Sequence, residues 1–233
     1  MPTTPLAILG FGFVLGLRHA LDVDHLAAVS TIVGQRRSLW SSSLVGALWG
    51  LGHTAALLAA AVAVIGLHAE IPPRLAAALE LGVAVMLVVL GLNLLRTVWA
   101  GGMLHHHVHS HGGRAHVHPH LHDSEPTAGD GHHRLGTGRR PFLVGLMHGL
   151  AGSGALMLAV LATIPSPGLA FAYVGIFGAG SIAGMVAMST LFGVPLALVG
   201  GRFARAELAL RLGAALGSLA VGLRLAWELG GLV

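Results

Sequence analysis

"RHALDVDH", Arg18 to His25, lies between the apolar run Leu6–Leu17 and a second one from Leu26 to Val33, with no turn signal on either side. The surrounding text reads as a membrane span, and charged groups at bilayer depth cost at least about 2.5–3.5 kcal/mol each on the mildest insertion scale. An arginine, two histidines and two aspartates placed there mark a site. On an ideal helix turning about 100° per residue, His19, Asp22 and His25 share one face, with Asp22 between the imidazoles and Asp24 pointing elsewhere.

Composition supports the membrane assignment. The 233 residues are 55% hydrophobic and 9% charged, with 35 glycines, outside the range of soluble domains. There is no cysteine, which excludes thiolate metal sites and disulfides. All 13 basic residues are arginine, and their scatter gives no nucleic-acid-binding patch. The N-terminus lacks a basic region and a small-residue cleavage site, so it reads as a retained span.

About 20 apolar residues cross a bilayer, and six candidate spans emerge: 5–33, 44–67, 75–95, 142–164, 168–200 and 208–229. The first and fifth exceed the required length. The first holds the polar cluster, and the fifth carries "GAGSIAG" and Pro195, so each is a candidate for a tilted or broken helix. Arginines 36, 37, 96, 114, 134, 139, 140, 202, 205 and 211 fall between spans on one side, whereas the other side has only Arg74. The excess of positive charge predicts that side to be cytoplasmic, with both termini outside, in an inner membrane whose lipid surrounds the protein.

Residues 101–140 form the one long connection on the cytoplasmic side. It holds 11 of the 16 histidines, among them His105, His106, His107, His109, His111, His116, His118, His120 and His122. Mixed with Gly, Pro, Ser and Asp, they cannot bury a core, and the segment is expected to lack order without ligand. Imidazoles suit Ni, Zn and Cu. The segment is either a solubilising linker or an accessory metal-binding reservoir or sensor.

The chain also resembles itself. "GLRHAL" (Gly16–Leu21) matches "GLMHGL" (Gly145–Leu150), "GLGHT" (Gly50–Thr54) resembles "FGAGS" (Phe177–Ser181), and "GLNLLRTVW" (Gly91–Trp99) resembles "GLRLAWEL" (Gly222–Leu229), all in the same order. Three spans per half is an odd number, so the halves, 1–100 and 141–233, are expected to cross the membrane with opposite topology, as in many secondary transporters. The expected fold is an all-α polytopic protein of six helices in a 3+3 inverted repeat, with His19 and His148 related by its axis.

His53 and His148 are further intramembrane imidazoles, and with His19, Asp22, Asp24 and His25 they make the candidate metal site. Singly, each could be an interhelical hydrogen bonder, and Arg18 could neutralise Asp22 at i, i+4. Jointly, they suit a borderline divalent ion better than Mg or Ca. Thr54, Asn93, Ser153 and Ser181 are candidates for lining the pathway, while Glu80 and Glu228 lie toward the outer ends and Arg224 reads as structural.

The segment "RHALDVDHLAAV" resembles the His-x4-Asp-His signature of the nickel/cobalt transporter family, carried here by His19, Asp24 and His25. "LGHT" (Leu51–Thr54) resembles that family's second histidine motif, and "HGLAGSGAL" (His148–Leu156) resembles a segment of the compact branch of urease-accessory and high-affinity nickel-transport proteins. The resemblance implies a permease for Ni²⁺ or Co²⁺ as transported substrate, without a fixed cofactor, acting in uptake and delivering to a cytoplasmic metal-accepting protein. It also implies weight on Asp24 where ideal helix geometry favours Asp22; both hold if span 1 is unwound between them. The longer members have about eight spans and acidic residues opposite Gly149–Leu156, which this chain lacks. An efflux permease of the same fold, an exporter of another small solute and a histidine-box membrane metalloenzyme are the alternatives. The last is disfavoured by the irregular loop histidines and the mid-depth position of the intramembrane ones; no HExxH segment is present for a metalloprotease, and no Walker-type segment is present either.

Overall fold

The computed structural model describes residues 4–36, 38–67, 72–99, 134–151, 164, 166–199 and 203–230, together with the backbone of two strands. Helix α1 spans Pro5–His19 and α2 spans Val23–Val33. Helix α3 runs Leu39–Ala61 and closes in a π turn, Val62–Gly66, and α4 runs Pro73–Trp99. Strands β1 (His105–His111) and β2 (Arg114–His120) precede α5 (Arg134–Gly149), α6 (Pro167–Val199) and α7 (Ala204–Gly230).

Among the described residues, four helices are long and apolar enough to cross a membrane, namely α3 with its π turn, α4, α6 and α7. The pair α1 and α2 makes a fifth if counted as one span bent by 56°. Of the expected span 142–164, helix α5 covers the first part, and residues 152–163 lie outside the described residues. Helix α5 begins at Arg134, inside the segment that the sequence assigns to the long connection, and carries Pro141 within it.

Two sequence expectations are corrected. The fifth span is a candidate for a break by its length and its Pro195, yet α6 is one helix of 33 residues, with Pro195 only four residues from its end. Backbone groups in hydrocarbon must be satisfied internally, which favours continuity, and the glycines of α6 serve close approach to neighbours instead of bending it. Composition predicts a histidine-rich segment without order, whereas β1 and β2 pair antiparallel, with His105 opposite His120 and His109 opposite His116. The two residues between the strands are both glycine, the composition that two-residue hairpins favour.

Helices in lipid gain little from hydrophobic contact and associate through close packing and interhelical hydrogen bonds. Gly16 of α1 and Ala20 at its C-cap meet Gly180 and Gly184 of α6: a Cβ on Gly16 would collide with the Phe177 carbonyl, and one on Gly180 with the Phe13 carbonyl. Gly145 and Gly149 of α5 meet Gly52 and Ala56 of α3 in the same way. Gly145 lies against the Trp49 carbonyl and Gly52 against the Phe142 carbonyl. A third pair joins α4 to α7, where a Cβ on Gly91 would stand 2.8 Å from the Ala215 carbonyl oxygen and one on Gly222 2.9 Å from that of Ala84. Hydroxyls add cross-links: Ser181 donates to the Gly16 carbonyl, Thr54 to Gly178 and Ser218 to Leu87, each worth about 0.6–2 kcal/mol.

Trp40 and Trp99, at the start of α3 and the end of α4, are exposed on the side that carries most of the arginines. Such placement marks an interfacial belt. At the start of α7 the Arg211 guanidinium donates to Glu207 at 2.7 Å, a buried pair one turn apart.

Candidate metal centre

The bend between α1 and α2 builds the site. Helix α1 ends in tight i to i+3 bonds, with the Leu21 N–H donating to Arg18 and the Asp22 N–H to His19. Asp22 is extended, with φ −62° and ψ 144°, and stands at the N-cap of α2. An aspartate there ordinarily caps the following helix with its side chain. Here it makes no such bond, and its Oδ2 instead lies 2.8 Å from Nδ1 of His19.

This break corrects the ideal-helix reading. Asp22 does not stand between the two imidazoles; it holds one of them from behind, and Asp24 turns inward. Asp24 Oδ1 accepts from the His25 backbone N–H at 3.0 Å and lies 3.2 Å from His25 Nδ1, while its Oδ2 lies 2.8 Å from Nε2 of His148 on α5. The Arg18–Asp22 alternative is not adopted: Arg18 does not take the Asp22 carboxylate, which goes to His19.

Four imidazoles converge on this point from four helices. His19 comes from α1, His25 from α2, His53 from α3 and His148 from α5, all buried. Ring centroids of His19 and His25 are 4.4 Å apart, of His19 and His53 5.1 Å, of His25 and His53 5.4 Å, and of His25 and His148 4.1 Å. Two overlapping groups result, His19–His25–His53 and Asp24–His25–His148, each with ligand atoms within 4.8 Å of one another. His25 belongs to both.

The hydrogen bonds set which nitrogens are available. His19 and His25 donate from Nδ1 to carboxylates, which leaves Nε2 of each as a lone pair; His148 donates from Nε2, which leaves Nδ1. Those three atoms and both ring nitrogens of His53 are buried with no hydrogen-bond partner among the described residues. A buried polar atom left unsatisfied costs about 1–3 kcal/mol; the lone pairs of His19, His25 and His148, with the one that a neutral His53 keeps on one of its ring nitrogens, are the four that a cation would satisfy. A carboxylate behind a histidine is also the usual way of fixing the tautomer and ring orientation of a metal ligand.

Two aromatic residues not anticipated from sequence complete the wall. Trp49 stacks on His25 with centroids 5.6 Å apart and planes at 11°, and it also approaches His148 at 5.8 Å. Phe177 lies 5.6 Å from His19. The one sequence signal for Trp49 is its place one helical turn before His53. Of the expected lining residues, Thr54 and Ser181 are committed to packing between helices and Asn93 lies in a separate cavity beside α4. Ser153 lies outside the described residues, and so do the side chains of the histidines from His105 to His122. Glu228 pairs with Arg224 at 2.8 Å on the exposed face of α7.

No family profile matches the chain, and no solved structure does. The chain is 36% identical over 198 residues to the urease accessory protein UreH of Bacillus sp. (strain TB-90), a match that covers 83% of this chain and 79% of that protein. It is 35% identical over 77 residues to the high-affinity nickel transport protein of Cupriavidus necator, covering 33% of this chain and 21% of that protein.

Proposed function

Because this chain belongs to the nickel/cobalt transporter family, in the company of a urease accessory protein, we propose that it carries Ni²⁺ or Co²⁺ across the cytoplasmic membrane, in the uptake direction the resemblance implies. The observation that carries this reading is the convergence of four buried imidazoles and the Asp24 carboxylate at a helix break. Neutral imidazole with limited carboxylate charge suits borderline ions.

The two overlapping groups suggest how the ion moves. The Asp24 side chain is 33% exposed and that of His25 1%, so of these two a cation reaches the anionic group ahead of the imidazole. It exchanges the Asp24–His148 hydrogen bond for coordination, then passes to His19 and His53 while His25 keeps hold of it. Each position offers few ligands, which keeps binding weak enough for release.

On this reading the chain has six spans in two inverted halves, 1–100 and 141–233, with both termini outside. The reciprocal contacts support it. Gly16 on Phe177 and Gly145 on Trp49 are equivalent under the sequence repeat, as are Gly180 on Phe13 and Gly52 on Phe142, and Gly91 on Ala215 and Gly222 on Ala84. The 101–140 segment serves as a cytoplasmic accessory metal-binding element that passes the ion to a metal-accepting protein.

Flux of ⁶³Ni²⁺ and ⁵⁷Co²⁺ into proteoliposomes of known orientation tests the reading. Expected are metal entry in the wild type, its loss in His19→Ala and its retention when residues 104–133 are deleted. A folded wild type that binds metal but moves none overturns it.

A further inference from the structure

Away from the metal centre, a cavity of about 630 Å³ opens between the C-terminal end of α2, the second half of α4 and the middle of α5. Its lining is divided. Apolar side chains from all three helices form one part, and two of these, Val89 and Leu143, are also more than half exposed on the outer surface. Arg36, Arg140, Gln35 and Asn93 form the other.

Among the described residues, the polar part carries positive charge with no carboxylate to balance it: none lines the cavity, and neither arginine has a carboxylate partner. The Arg36 Nε is buried without a hydrogen bond among the described residues. Guanidinium stays protonated at any working pH, so two of them lining one half-open cavity, Arg36 partly buried and Arg140 exposed, favour an anion with several oxygens.

We propose that this cavity holds an anionic phospholipid, its phosphate between Arg36 and Arg140 and an acyl chain along the wall that includes Val89 and Leu143. Three features select a lipid over a segment of this chain. The apolar wall faces outward, where bilayer lies. The cavity sits at the end of the helices marked by exposed Trp40 and Trp99, at headgroup depth. The acidic stretch of the long connection, "DSEPTAGD" (Asp123–Asp130), is mostly polar and offers little to cover that wall. Burial and the neighbouring Arg140 lower the Arg36 guanidinium from its ordinary value, in keeping with a charge that lacks its counter-ion.

Native mass spectrometry of the full chain, released from nanodiscs of equal phosphatidylglycerol and phosphatidylethanolamine, reads the retained lipid directly. One phosphatidylglycerol retained per chain is expected, with retention falling about thirtyfold in Arg36→Gln/Arg140→Gln, the equivalent of two arginines at an anionic surface. If that variant fails to fold, Arg36→Lys/Arg140→Lys keeps the charge without the fork and should retain lipid at a reduced level. Equal retention in wild type and both variants overturns the proposal. Displacement of the lipid by millimolar inorganic phosphate would show a free-anion site and overturn it too. Lipid bound only after deletion of residues 104–133 would identify the chain's own segment as the occupant and would likewise overturn it.

Discussion

Asp24 Oδ2 lies 2.8 Å from Nε2 of His148 although the two residues are 124 positions apart, one on α2 and the other on α5. The same carboxylate reaches back to His25 through its other oxygen. Asp24 therefore joins the two halves of the chain and fixes two ring orientations at once, whereas Asp22 fixes only His19. Asp24→Asn should weaken Ni²⁺ binding to the loop-deleted protein at least 100-fold, since it removes the charge and disturbs two histidines. Asp22→Asn should cost about 10–100-fold, the usual effect of removing one orienting carboxylate. Isothermal titration of the two variants ranks them, and a larger loss in Asp22→Asn would restore the ideal-helix assignment.

Trp49 gives the centre an optical reporter. It is fully buried against His25 and His148, while Trp40, Trp99 and Trp227 are exposed at 78%, 70% and 86%. With those three changed to Phe, the remaining fluorescence should be blue-shifted and should fall as Ni²⁺ or Co²⁺, both open-shell ions, fills the site. Zn²⁺ should leave most of it. Quenching that survives His25→Ala would place the ion elsewhere.

Much of this arrangement is legible in the sequence, and the gaps have physical causes. That His19, Asp24, His25, His53 and His148 form one group is legible because ionisable groups stand out in apolar spans, but the expected partnership of His19 with His148 gives way to contacts of His148 with Asp24 and His25. The roles of Asp22 and Asp24 cannot be read, because a 100° wheel assumes an unbroken helix and the bend at residues 20–22 swaps their directions. Trp49 reads as one more apolar residue of a span, since stacking on an imidazole leaves no periodic mark. Arg36 and Arg140 read only as markers of topology, because a shared cavity between residues so far apart in sequence is a tertiary fact.

The glycine contacts predict which small changes the fold tolerates. Gly145→Ala drives a methyl into the Trp49 carbonyl and Gly52→Ala drives one into that of Phe142. Both should lower thermal stability in detergent, by about 1–3 kcal/mol each as for other overpacked sites. A Cβ at Gly213 meets nothing within 4 Å, so Gly213→Ala should be neutral or gain up to about 1 kcal/mol from helix propensity. Equal effects at the three positions would remove the case for close helix approach.

Proton competition offers a test of the ligand chemistry itself. A coordinating imidazole must give up its lone pair to the metal, so each ligand protonated in the free protein has to lose a proton on binding. Free histidine titrates near 6.5 and free aspartate near 3.9. A site held by three imidazoles should therefore bind Ni²⁺ most tightly above neutral pH and lose affinity as pH falls through the range where its ligands take up protons, a single competing proton of pKa ~6.5 costing about fivefold between pH 6.5 and 5.5. A site held mainly by carboxylates would stay nearly flat over that interval and weaken only near pH 4. Deletion of residues 104–133 removes the other large set of imidazoles, so the measurement belongs on that variant, with equilibrium ⁶³Ni²⁺ binding read across the range. Affinity and pH profile left unchanged by His19→Ala, His25→Ala and His53→Ala would mean that these residues do not hold the ion.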